Sequence, residues 1–215
     1  MATYISSFDR LRKMPEVFTG RELTIRFGWK SAMASNYLAN WKRAGLVQAL
    51  GGRSDVYLNR VRNPQVNPEV AMRRAFPGAI KIGVDVLRSA GWTTQIPATP
   101  EVAVSAKTTW YAVNGFELTA RSHAWFQAVR AGVEHAADGL DRLAPEWALA
   151  DMIARARDKR VRKAWLLDPE DLAINRVVET KGLPKALASL GLTPGCLLGD
   201  GYATIYQQYA ASATQ

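Results

Sequence analysis

KSAMASNYLANWKRAGLV, residues 30–47, is the stretch whose reading decides the fold. At 100° per residue, a helix over 31–44 places Ala34, Tyr37, Leu38 and Trp41 together on a core-facing side. The opposite side carries Ala32, Asn36, Ala39 and Arg43, flanked by Ser35 and Asn40, with Ser31 placed to act as N-cap. A merely solvated helix face usually carries Glu and Lys, yet no acidic residue occurs between Glu22 and Asp55. Small residues let a helix backbone approach a groove floor. Asparagine pairs bidentately with adenine, and arginine with guanine. Serine and the helix N-terminus suit a phosphate. The pattern is that of a helix that reads double-stranded DNA.

The flanking residues agree. A helix is expected over 4–14, with Ile5, Phe8 and Leu11 on one face, and MPEVFTG ends it. GRELTIRFG, residues 20–28, is a short helix stopped by Gly28, and the Phe-Gly-Trp turn leads into the helix over 31–44. Leu46, Val47, Ala49 and Leu50 begin a strand, Gly51-Gly52 supplies a turn, and Val56-Tyr57-Leu58 returns. Three helices followed by a strand, a glycine turn and a strand predict a winged helix-turn-helix. Asn36, Asn40 and Arg43 are its expected base readers, and Ala32 allows close approach. Ser31, Ser35 and Lys42 are expected at phosphates, and Arg53, near the wing tip, in the narrow minor groove.

Charge points the same way. The 215 residues carry a net +9, of which residues 1–62 hold +7 (11 Lys and Arg against 4 Asp and Glu) and residues 63–215 hold +2 (17 against 15). An excess confined to one end is the electrostatic footprint of a nucleic-acid-binding domain. A chain that is 48% hydrophobic and 22% charged buries a core of real size. No apolar run reaches the ~18 residues of a membrane span. The N-terminus lacks a signal-peptide pattern and Cys196 is the single cysteine, so a cytoplasmic protein without intrachain disulfides and without a membrane partner is expected.

NRVRNPQVNP, residues 59–68, has two Asn-Pro steps and reads as a linker. The expected domains are therefore 1–62 and 69–215, the second a mixed α/β domain and the whole chain α+β. In the second, PEVAMRRAF, VDVLRSAGW, LAPEWALADMIARARDKRVRKAWLL, DPEDLAINRVVETKG and LPKALASLGL suit helices. EVAVSA and GFELTARS alternate as strands, and the tail after residue 206 is expected to fray.

RARDKRVRK, residues 155–163, has six basic residues and one acid. Arg155, Arg157, Lys159 and Arg160 are expected to extend the DNA footprint, the alternative being a solvated helix face. Glu179-Thr180-Lys181 matches half of a nuclease signature but falls in a predicted helix without an acidic partner. GCLLGDG lacks the Lys-Ser/Thr of a phosphate loop and reads as a tight turn. His123, expected at a strand end, and His135 show no metal-ligand spacing; Cys196 reads as a small buried hydrophobe. Trp92, Trp110, Trp125, Trp147 and Trp165 are expected to be mostly core. Neither catalytic residues nor a metal or cofactor are expected.

FTGRELTIRFGWKSAMASNYLANWKRAGLV resembles the N-terminal winged helix of the AbiEi antitoxins of bacterial type IV toxin–antitoxin systems. AMRRAFPGAIKIGVDVLRSAGWTTQIP, PEVAV and LDRLAPEWALADMI resemble that family's C-terminal antitoxin domain in order and spacing, so the likeness covers roughly residues 15–155. AGWTTQIP followed by a strand and then APEWALADMI carries most of its specificity. The resemblance implies a repressor that binds inverted repeats in its own promoter, as a monomer or weak homodimer, and neutralises a nucleotidyltransferase-type toxin. The residues alone also fit a stand-alone winged-helix regulator whose second domain senses a ligand or dimerises. An enzyme acting on nucleic acid or protein is a third class, with no constellation to support it.

Overall fold

The computed structural model describes residues 6–107, 112–158, 166–199 and 202–212. The chain is α+β and forms two compact units. The first is Met1–Ala79 with Thr109–Gly115 and Ala137–Leu140; the second is Ile80–Thr108, Phe116–Ala136 and Asp141–Gln215.

The first unit runs α1 (Ser7–Arg12), β1 (Val17–Thr19), α2 (Gly20–Phe27), α3 (Ser31–Arg43), β2 (Val47–Ala49), β3 (Val56–Asn59) and α4 (Pro68–Ala75). β1 and β2 pair antiparallel with opposite edges of β3, in register Val17 to Leu58 and Val47 to Asn59. β1 was not expected from the sequence. Leu11, Met14, Phe18, Leu23, Ala34, Leu38, Trp41 and Val47 interleave into one core, and fully burying a side chain the size of leucine or phenylalanine is worth about 1.5–3 kcal/mol.

Helix α2 begins with a reciprocal capping box: the Glu22 N–H donates to Thr19 Oγ1, and the Thr19 N–H donates to Glu22 Oε2. It ends at Gly28, whose φ of 65° is left-handed. A stack holds the next turn: Phe27 on Trp29 at 4.8 Å between ring centroids, and Trp29 on Tyr37 at 4.3 Å. Arg10 lies over the Tyr37 ring and donates to its hydroxyl at 2.9 Å. Lys30, not Ser31, is the N-cap of α3 and offers no side-chain hydrogen bond. Lys30 has the extended geometry of a cap (ψ 150°) and Ser31 is already helical, so the helix starts one residue earlier than a cap at Ser31 would place it.

The first unit does not stop at residue 62. Val66, Ala71 and Met72 are buried, and Arg74 donates to the Val17 carbonyl and pairs with Glu22 at 2.7 Å. The Asn-Pro steps turn the chain; the apolar face of α4 then brings it back onto the same unit. Residues 112–114 join this unit too, alongside the β2 turn. The Gly52 N–H donates to the Ala112 carbonyl, the Asn114 N–H to the Leu50 carbonyl, and the Asn114 amide to the Ala49 carbonyl. Gly51 sits opposite Val113, and a Cβ there would lie 2.8 Å from the Ala112 carbonyl oxygen.

The second unit contains β4 (Ile80–Ile82), α5 (Val84–Ser89), β5 (Glu101–Ser105), β6 (Glu117–Arg121), α6 (His123–Val129), β7 (Val133–Glu134), β8 (Asp141–Leu143), α7 (Pro145–Arg157), α8 (Ile174–Glu179), α9 (Leu183–Ser189), α10 (Cys196–Gly199) and α11 (Ala203–Ser212). Its mixed sheet has the order β6-β5-β4-β8-β7, with β5–β6 and β4–β8 parallel. Helix α7 is its centre: Trp147 through Ile153 are all buried. In AGWTTQIP, Trp92 is buried and its carbonyl accepts from the Ala173 N–H at 2.8 Å.

Several sequence expectations change here. The tail is helical through Ser212 rather than frayed. Cys196 is buried, but its segment is a helical turn. His123 opens α6 instead of ending a strand. Glu179 closes α8, with Thr180 and Lys181 beyond it. Trp147 is core and Trp125 half-buried, while Trp110 and Trp165 lie outside the described residues. No helix among the described residues is long and apolar enough to cross a membrane.

Candidate nucleic-acid interface

Helix α3 is amphipathic in the expected sense. Ala34, Leu38 and Trp41 are buried and Tyr37 half-buried, whereas Ala32, Ser35, Asn36, Ala39, Asn40, Lys42 and Arg43 are exposed. The exposed residues are small and polar apart from Met33, with two cations, Lys42 and Arg43, at the C-terminal end. Arg43 Nη1 donates to Asn40 Oδ1 at 3.1 Å. That bond engages the acceptor Asn40 would need for adenine and orients the guanidinium. Together the two side chains present N–H donors, which suits the acceptor edge of guanine.

One flank of α3 borders a groove of about 450 Å³. Ser31, Ser35 and Lys42, the three expected phosphate contacts, all line it. Arg21 and Thr24 of α2 close its second wall, and Asp55 and Tyr57, at the start of β3, its third. The sequence did not single out these four. Asp55 caps α2 from 34 residues away: its Oδ2 accepts from the Arg21 N–H at 3.1 Å, and its carbonyl from the Gly20 N–H at 3.2 Å. Gly20 lets this carboxylate lie close, because a Cβ there would come within 2.5 Å of Asp55 Oδ1 and the Asp55 side chain would have to shift. Burial, and the Asp55 charge after it, push the Tyr57 phenol up from its ordinary value.

Arg53 is exposed at the turn between β2 and β3, with a left-handed φ of 56° after two left-handed glycines, Gly51 and Gly52. This places a cation at the tip of the hairpin, as expected. Beyond Lys42 lies a second recess of about 410 Å³, lined by Gln48, Arg60 and Asn114 among others.

The basic run in the second unit behaves differently. Arg155 Nη1 donates to Glu101 Oε1 at 2.5 Å, and only 17% of its side chain is exposed. Arg157 Nη2 donates to the Cys196 carbonyl at 2.6 Å. Arg155 is therefore paired and mostly covered within its own unit, whereas Arg157 is exposed while it makes this bond. Lys159 and Arg160 lie outside the described residues. Beside Arg155 sits a buried ion pair: Arg121 Nη2 to Asp151 Oδ2 at 2.5 Å, with Trp125 Nε1 donating to Asp151 Oδ1 at 2.8 Å. Burial pushes the Asp151 carboxyl up and the Arg121 guanidinium down, and the pair opposes both shifts. Among the described residues, no three His, Cys, Asp or Glu side chains converge as a metal-binding group.

No family model matches the chain, and no curated protein matches it.

Proposed function

We propose that the first unit binds double-stranded DNA as a winged helix-turn-helix. Helix α3 enters the major groove, and the β2–β3 hairpin, with Arg53 at its tip, meets the minor groove. The observation that carries this reading is the exposed, acid-free face of α3 beside a groove that gathers Ser31, Ser35, Lys42 and Arg21. Asn36 and the Asn40–Arg43 couple read base edges, while the hydroxyls and Lys42 hold phosphates. The charge excess of residues 1–62 supports the same assignment.

The chain is proposed further to act as an antitoxin of the AbiEi type: it represses its own operon and neutralises a nucleotidyltransferase-like toxin encoded beside it. This part rests on the sequence resemblance. Its likeness to the second domain centres on AGWTTQIP and APEWALADMI, which here form packing elements: buried Trp92 and the central helix α7.

A mobility shift with the DNA just upstream of the protein's own gene, at two salt concentrations, tests the first part. A sequence-dependent, salt-sensitive shift is expected, and binding indifferent to sequence sinks it. Co-expression with the neighbouring gene product tests the second part. Growth arrest by that product, relieved by this protein, is expected; arrest that persists removes the antitoxin role and leaves a stand-alone regulator.

A further inference from the structure

We propose that Asp55 is a specificity-determining residue of the α3 groove: it holds a fixed negative charge where a DNA phosphate would otherwise settle, so the groove rejects backbone that base contacts do not hold in place. This rests on the DNA-binding reading above. Asp55 is the one acidic side chain lining a groove that also presents Arg21, Lys42, Ser31 and Ser35, and it is exposed there. Its place is fixed from several sides. Its carboxylate accepts from the Arg21 N–H, its carbonyl accepts from the Gly20 N–H, and β3 begins at the next residue, in register with Thr19 of β1. With the carboxylate in this place, a Cβ on Gly20 would lie 2.5 Å from Asp55 Oδ1.

The first donors of α2 are consequently satisfied within the protein, by Asp55 and by Thr19. A phosphate approaching Arg21 meets a carboxylate. One approaching along α3 meets Ser31, Ser35 and Lys42. Non-cognate DNA, held by its backbone alone, samples both routes and pays the repulsion on one of them. Cognate DNA, held in register by Asn36 and Arg43, keeps to the α3 side.

The test uses the full chain and fluorescence anisotropy on the promoter duplex and on a scrambled duplex at one salt concentration. Asp55→Asn removes the charge but keeps an oxygen for the Arg21 N–H. Glu16→Gln removes an equal charge outside the groove, where the Glu16 carboxylate accepts from the Asn63 amide at 3.3 Å and its carbonyl, which the substitution keeps, accepts from the Asn59 N–H. Asp55→Asn is expected to tighten scrambled-duplex binding about fivefold, the effect of one close charge pair in water. The promoter duplex should gain less, so the ratio of the two affinities falls, while Glu16→Gln leaves that ratio in place. Equal gains on both duplexes, the same ratio change with Glu16→Gln, or weaker binding to both overturns the proposal while the DNA-binding reading stands. If Asp55→Asn does not fold, Asp55→Ser, which keeps a hydroxyl acceptor, takes its place; failure of both to fold makes Asp55 a structural cap only and also overturns it. A parent chain that does not discriminate the duplexes overturns both readings together.

Discussion

The side-chain amide of Asn59 donates to the Leu11 carbonyl at 2.8 Å, across 48 residues of chain. The same amide reaches the Pro15 carbonyl at 3.2 Å, and its own oxygen accepts from the Arg62 N–H. Asn59 is fully buried at the end of β3, so it ties α1, the approach to β1 and the exit of the hairpin into one knot. Asn59→Ala takes a donor from the Pro15 carbonyl and one of two from the Leu11 carbonyl, which keeps the Met14 N–H, and should cost about 1–3 kcal/mol. Asn59→Asp should cost more, because it sets a carboxylate against carbonyl oxygens. Urea unfolding of the two variants checks both the size and the order.

Asp151 makes an analogous demand in the second unit. Asp151→Ala strands the Arg121 guanidinium and the Trp125 N–H beneath the sheet edge strand β6 and should cost about 3–5 kcal/mol. Asp151→Asn keeps an acceptor for Trp125 and should cost less. Thermal unfolding followed by tryptophan fluorescence separates them; equal losses would mean that the charge on Asp151 carries the whole contribution and the acceptor kept for Trp125 none.

Acid should loosen the first unit through Glu22. Burial pushes this carboxyl up, but the Thr19 N–H and the Arg74 guanidinium outweigh that and hold it below the ordinary glutamate range. The folded pKa lies below the unfolded one, so the contribution is present above about pH 4.3, the unfolded value, and disappears as pH falls through the folded value. Glu22→Gln should therefore be less stable than the parent at pH 7, by under about 1 kcal/mol for so open a pair. The gap should close as the pH drops below about 4. A gap that is constant with pH would remove Glu22 from the acid limb.

On the proposed DNA-facing side, Arg43 and Lys42 should fail in different ways. Arg43→Ala should lose about 1–3 kcal/mol of preference for the promoter sequence. Lys42→Ala should weaken all duplexes alike and lower the salt slope by about 1. Titrations over a salt series with two duplexes distinguish these outcomes, and identical behaviour of the two variants would remove the division between base reader and phosphate contact.

What the sequence made readable was mostly local. The faces of α3 follow from a 3.6-residue period, and the hairpin from Gly51-Gly52 between two apolar runs. β1 and β4 are only three residues long, too short to show alternation. Asn59 was assigned to a linker because the Asn-Pro steps follow it, although its own partners lie back in α1. Of the candidate site, the outward residues and Ser31, Ser35 and Lys42 were readable because they share one helix. Arg21 and Asp55 were not, because what joins them is a contact over 34 residues. Counting charges could not reveal that Arg155 is bound to Glu101, 54 residues away.

The pairing of residues 112–114 with the turn after β2 bears on how this unit behaves outside its chain. β2 is an outer strand of its sheet, and an uncovered outer strand offers free N–H and C=O groups to any other chain in solution. Ala112 and Asn114 take up such groups on Leu50, Gly52 and Ala49. A fragment cut after Ala79 would lose that cover while keeping α1 to α4. Its weakness would be self-association strand to strand, and the length of chain needed for a well-behaved fragment is set by Asn114 rather than by the end of α4.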